Sequence, residues 1–123
     1  MKEILWVGLG GFAGANARYL LGVWVATRFG STFPYGTFII NVTGSFILGL
    51  IMGLLDTHVL APAVRLSLGI GFIGAYTTFS TLTYETLRLV ESGSLLLAAA
   101  NVIGSVFVGL IAAIAGLAAG RAL

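Results

Sequence analysis

Apolar positions along the chain fall into four long blocks separated by short polar interruptions. The blocks cover about residues 4–26, 35–55, 62–90 and 94–119, with interruptions at 28–33, 56–61 and 91–93. A helix that crosses a bilayer needs roughly 20 predominantly apolar residues. The pattern therefore predicts an all-α membrane protein of four transmembrane helices, one domain over residues 1–123. Pro34 and Pro62 stand just outside or at the first turn of their helices, where a missing N–H does no harm. Lys2 ahead of an apolar run, with Ala15-Asn16-Ala17 further on, has the outline of a cleavable leader. Glu3 and the return of the apolar pattern at Tyr19 favour a retained helix instead.

The third block does not fit a simple span. Its 29 residues, 62–90, would make one helix of about 43 Å, against a hydrocarbon core of roughly 30 Å. Its middle, Gly74-Ala75-Tyr76-Thr77-Thr78-Phe79-Ser80-Thr81-Leu82-Thr83, is dense in hydroxyls and preceded by Gly69 and Gly71. Steep tilt is one way out of the mismatch. A break near 74–80 is the other, and it would expose backbone groups able to coordinate ions. Hydroxyls that simply bond carbonyls one turn back in an intact helix explain the composition equally well.

Composition removes the soluble alternative. The chain has 59% hydrophobic and 8% charged residues and a mean hydropathy of +1.09, whereas soluble domains carry roughly 25% charge. Glycine supplies 18 of 123 residues, about twice the ordinary share of roughly 7%. Small residues recur four apart at Gly10/Gly14, Ser45/Gly49/Gly53, Ser105/Gly109 and Gly116/Gly120, a spacing that lets membrane helices approach closely. So tight a bundle has no room for a central pore, and transport would need more than one subunit. No polar stretch is long enough to fold as a catalytic domain. The pattern predicts no enzyme.

Charge adds less. Lys2, Arg18, Arg28, Arg65, Arg88 and Arg121 form no run, which argues against nucleic acid as a partner. Lys2, Arg65 and Arg121 fall on one side of the four-helix topology and Arg28 and Arg88 on the other, with Arg18 inside the first helix. So even a split hardly biases insertion, and it predicts a chain able to insert both ways up. There is no cysteine, hence no disulfide framework or thiolate metal site. His58 beside Asp56 reads as a solvated loop pair.

Two sets of polar positions stay at membrane depth. Thr37, Asn41 and Ser45 lie every four residues along one face of the second helix, and Asn101 and Ser105 repeat the spacing on the fourth. Such residues face a bundle interior. They either bond between helices or line an ion path.

Gly71-Phe72-Ile73-Gly74-Ala75-Tyr76-Thr77-Thr78-Phe79-Ser80-Thr81, followed by Glu85 and preceded by Gly36-Thr37 and Asn41, resembles the bacterial fluoride-specific ion channels, the Fluc or CrcB family. The resemblance covers essentially the whole chain. It implies an antiparallel, dual-topology homodimer in the lipid of a bacterial inner membrane that passes fluoride passively outward and so relieves its toxicity. It also implies a structural sodium ion, not transported, held at a break in the third helix by the carbonyls of Gly74 and Thr77 from each subunit. Asn41 would line the pore, Phe79 would offer its ring edge to the anion, and Ser105 and Asn101 would continue a polar track. The family usually carries a second phenylalanine where this chain has Leu82, which leaves a second aromatic site without its residue. The chemistry is coherent, because amide and hydroxyl donors can replace hydration water and an aromatic edge is positive without being a cation.

Two rival readings belong to other classes. A dual-topology proton-coupled exporter would use Glu85 as its carrier carboxylate, although Glu85 near the end of its span could equally pair with Arg18 or reach water. A packing subunit of a larger complex would move no ion alone.

Overall fold

The computed structural model describes residues 1–58 and 60–123; Val59, in the connection expected at 56–61, lies outside the described residues. Among the described residues every regular element is helical. Helix α1 is Lys2–Phe29 and α2 is Tyr35–Thr57. Helix α3 runs without interruption through Pro62–Val64, Arg65–Phe72 and Ile73–Tyr76, its middle turns wound wider as π-helix. Helix α4 is Phe79–Glu91 and α5 is Leu95–Ala122. The third apolar block is thus broken between α3 and α4, at Thr77 and Thr78, a narrower interruption than the 74–80 window. The helices also outrun the apolar blocks. Helix α1 continues to Phe29 because Arg28 can stay helical while its guanidinium folds back over Trp24, 5.9 Å from the ring centroid. Gly30 (φ 75°) then turns the chain, its N–H on the Ala26 carbonyl at 3.1 Å, a conformation open to glycine at little cost.

Glycine decides how the helices meet. A Cβ on Gly49, Gly53, Gly116 or Gly120 would run into the carbonyls of Ala113, Leu117, Phe46 or Leu50, so α2 and α5 touch backbone to backbone. Their contacts climb in step, Phe46 to Gly116 and Leu50 to Gly120, which makes the two helices parallel. Helices α1 and α3 repeat the arrangement: Gly10 and Gly14 lie on the carbonyls of Ser67 and Phe72. The four-residue glycine spacing is therefore spent on helix contact. An ion pair from Arg121 to Asp56 at 2.7 Å joins the C-terminal ends of α2 and α5, and as an exposed pair it contributes about 0–1 kcal/mol.

Among the described residues two helices are long and apolar enough to cross a membrane, Tyr35–Thr57 at hydropathy 2.1 and Leu95–Ala122 at 2.4. Only 28% and 17% of their apolar windows are buried in the chain, too little for core helices of a soluble protein. Phe12, Leu20, Leu96, Val106 and Phe107 all stand exposed, as expected of a surface solvated by lipid. The third apolar block does not run as one long helix: α3 packs on α1, while α4 turns toward α2 and α5 through Thr37–Glu85 and Thr86–Asn101 hydrogen bonds.

Candidate functional site

The break is built by replacing two helical hydrogen bonds with bonds to side chains. In a continuous helix the Thr78 N–H would donate to the Gly74 carbonyl and the Thr81 N–H to the Thr77 carbonyl. Here the Thr78 N–H donates to Asn41 Oδ1 at 2.8 Å, and the Thr81 N–H donates to Thr78 Oγ1 at 3.2 Å. Thr77 and Thr78 take extended backbone (φ/ψ −78°/158° and −151°/115°), and Thr78 becomes the N-cap of α4, as its short hydroxyl side chain suits. Gly74 and Thr77 are thereby left with carbonyls free of their usual partners. Nothing lies within 4 Å of where a Gly74 Cβ would be, so this end of α3 is open to a further neighbour.

Asn41 closes the pattern from α2. Its Oδ1 accepts from the Thr78 N–H, and its Nδ2 donates to the Thr78 carbonyl at 3.0 Å. The side-chain amide thus pairs both backbone groups of the extended residue, as a neighbouring strand would, and one amide N–H is left over.

Two cavities flank this clasp, and Thr78 lines both. The smaller, about 290 Å³, is lined by Asn41, Ser45, Thr77, Phe79, Leu82 and Ser105, among others, with no charged side chain. The larger, about 750 Å³, holds Thr37, Thr81 and the charged residues Arg18, Glu85 and Arg88 beneath the loop from Gly30 to Gly36. The α2 stripe of Thr37, Asn41 and Ser45 therefore runs from one cavity, past the clasp, into the other. Ser45 Oγ donates to its own helix, to the Asn41 carbonyl at 2.7 Å. Ser105 Oγ is buried without a protein partner. Phe79 lines the smaller cavity yet is 77% exposed, whereas Leu82 beside it is 7% exposed. Asn101 lines neither cavity: it is fully buried, donates to Thr86 Oγ1 at 3.0 Å, and leaves its Oδ1 unpartnered.

Glu85 and Arg18 share the larger cavity but form no ion pair among the described residues. One Glu85 oxygen accepts from the Thr37 hydroxyl at 2.8 Å, and the other is buried without a partner. Sequence reasoning passed over Thr78, Thr43 and Tyr76. Thr78 had a usable signal, a Thr immediately ahead of an apolar-periodic segment, the ordinary N-cap position. No cluster of three or more His, Cys, Asp or Glu side chains that could hold a metal exists among the described residues. The oxygens that the break itself frees are the Gly74 and Thr77 carbonyls.

Residues 5–117 match the family described as CrcB-like protein, Camphor Resistance (CrcB). The chain is also similar to curated proteins named fluoride-specific ion channel FluC. The one from Acidobacterium capsulatum is 51% identical, covering 97% of this chain and 96% of the relative. Those from Chloroflexus aurantiacus (48%, covering 98% and 97%) and Geotalea daltonii (46%, covering 98% of each) are similar to it over the same extent.

Proposed function

The chain belongs to the CrcB-like family, and from that premise we propose that it is a passive, fluoride-selective channel of a bacterial inner membrane. It exports fluoride and so relieves fluoride toxicity. The observation that carries the reading is the smaller cavity, where Asn41, Ser45, Ser105 and the Phe79 ring meet without any charged side chain. Fluoride is small and strongly hydrated, so a path for it must offer closely spaced donors in place of water. The spare Asn41 N–H and the unpartnered Ser105 hydroxyl can do that, the Ser45 proton being held by the Asn41 carbonyl, and an aromatic edge adds a weak positive field. A lysine or arginine there would hold the anion too firmly for conduction. The larger cavity, with Arg18 and Arg88 at its lining, raises the local anion concentration at the mouth.

The functional unit is an antiparallel homodimer of dual topology. Its support is the break itself, since open backbone at membrane depth persists only when protein or a wet cavity covers it. Gly74, Phe79, Ser80 and Thr83 are all exposed in the single chain, and an inverted copy against that face would cover them. The near-even division of Lys and Arg between the two sides lets both orientations insert. At the two-fold axis the Gly74 and Thr77 carbonyls of both copies would hold a structural sodium ion. Freed carbonyl oxygens beside an open Gly74 fit such an ion, and when bound it supplies the positive charge that offsets carbonyl repulsion. A single copy cannot complete its oxygen shell.

The test is ion efflux from liposomes containing only the purified protein. Fluoride should leave rapidly and chloride should not, with no dependence on an imposed pH gradient. Efflux driven by the proton gradient would replace the channel with an exporter working through Glu85, and no efflux would leave a packing subunit.

A further inference from the structure

The α3 end of the break is fastened by a contact distinct from the Asn41 clasp. Tyr76 is the last helical residue before the break. Its ring is 6% exposed and stacked on Phe72, centroids 5.6 Å apart at 14°. Its hydroxyl lies 2.8 Å from Thr43 Oγ1 on α2. Thr43 has a single hydroxyl proton, and the Ile39 carbonyl one turn back takes it at 2.7 Å. Tyr76 is therefore the donor. Next to Thr43, Gly44 leaves no room for a Cβ: it would strike Thr77 Cγ2 and come within 3.2 Å of the Tyr76 ring. Residues 41, 43 and 44 of α2 thus hold Thr78, Tyr76 and Thr77 in turn. The Thr77 carbonyl shares a planar peptide unit with the Thr78 N–H, so the Asn41 bond sets its direction. The Tyr76–Thr43 bond and the Gly44 contact set where the end of α3, and with it that peptide, stands against α2.

We infer that Tyr76 is a positioning residue for conduction, its hydroxyl bond to Thr43 fixing where the end of α3, and with it Thr77, stands at the edge of the smaller cavity. The inference rests on the channel reading, and it concerns a pair of which Thr43 lies off both polar stripes and Tyr76 sits in the hydroxyl-rich segment without a role of its own. Tyr76 touches no ion. It acts through Thr77 and the cavity wall.

Tyr76→Phe keeps the ring, the stack on Phe72 and the fit over Gly44, and removes only the donor. In liposomes, fluoride efflux should fall about fivefold, which is ~1 kcal/mol at 1.4 kcal/mol per factor of ten, the size of one neutral hydrogen bond. Fluoride should also lose ground to chloride, because the ligand geometry is loosened; a loss of stability alone would scale both fluxes together. Thr43→Val should reproduce both changes, Thr43→Ser should restore parent behaviour, and the Tyr76→Phe/Thr43→Val double variant should be no worse than either single one. A parent that moves no fluoride overturns the channel reading and this inference with it. A conducting parent matched in flux and selectivity by Tyr76→Phe, or by Thr43→Val should Tyr76→Phe fail to fold, overturns this inference alone.

Discussion

The two halves of α2 place small and polar residues at the same four-residue spacing and use them in opposite ways. Toward the C-terminus, Gly49 and Gly53 lie flat on the Ala113 and Leu117 carbonyls of α5, a contact of backbone on backbone with no polar group at stake. Toward the N-terminus, Thr37, Asn41 and Ser45 stand over cavities, and two of them bond to residues of α4 or the break. A stripe of small residues closes space. A stripe of polar ones keeps it open, because hydroxyl and amide groups at membrane depth are costly unless another polar group meets them. The rigid half gives the other a fixed wall, which is what a site built from neutral donors needs.

The contrast breaks most severely at the glycine contact. Gly116→Val would drive two methyl groups into the Phe46 carbonyl, and backbone has no rotamer by which to move aside. Overpacking typically costs about 1–3 kcal/mol where side chains can adjust, and here the loss should exceed that range. The expected outcome is loss of a monodisperse peak in detergent and of flux together. A Gly116→Val protein that purifies and conducts normally would remove rigidity from the scaffold half.

In the polar half the fold should survive and conduction should not. Asn41→Ala takes away both bonds to Thr78 and the spare N–H. Losing a donor to a charged ligand costs about 1.5–3 kcal/mol, which at about 1.4 kcal/mol per decade is roughly a ten- to hundredfold drop in fluoride efflux. Asn41→Asp should be worse, since a carboxylate can still accept from the Thr78 N–H but cannot donate to its carbonyl and repels an anion. An Asp variant that conducts better than the Ala variant would show that Asn41 serves the backbone alone.

These two regions were unequally legible in the sequence. The helical blocks and their close contacts follow from hydropathy and glycine spacing, since both act through one helix face at a time. The break was open to two readings because a threonine can bond one turn back or cap a new helix, and this chain does both. Thr77, Thr83 and Thr86 donate to the Ile73, Ser80 and Leu82 carbonyls, while Thr78 alone accepts from the turn ahead. Composition cannot say which threonine will be the exception. The Tyr76–Thr43 and Thr37–Glu85 bonds join residues 33 and 48 positions apart, and no local period carries that information. Asn101 shows the converse: its stripe allowed either a bond between helices or an ion path, and the fold gives it a bond to Thr86 on α4.

Phe79 sharpens the comparison, because it belongs to the polar half without being polar. At 77% exposure it contributes little to the stability of the single chain, so Phe79→Ile should leave elution and melting nearly unchanged. The aliphatic side chain lacks an electropositive ring edge, and fluoride efflux should fall by about tenfold, the effect of ~1.4 kcal/mol at the anion. A dimer of Phe79→Ile that conducts like the parent would take the ring out of the path and leave the cavity to its hydroxyls and Asn41.

The smallest effect belongs to the neighbour that shares the cavity but not the chemistry. Leu82 is 7% exposed and lines the same wall as Phe79 one turn along, so it contributes shape and no polarity. Leu82→Ile conserves volume, costs less than about 1.5 kcal/mol of stability, and should leave efflux within about twofold of the parent, the scatter that ~0.4 kcal/mol produces. Leu82→Phe adds volume, and the cavity of about 290 Å³ has space for a ring. That variant should fold, and its flux should equal or exceed the parent's because it adds a second positive edge beside the first. A large loss in Leu82→Ile, measured in the same liposomes, would mean that the shape of this wall governs conduction as strongly as its donors do, and the division of α2 into a packing half and a conducting half would fail at its boundary.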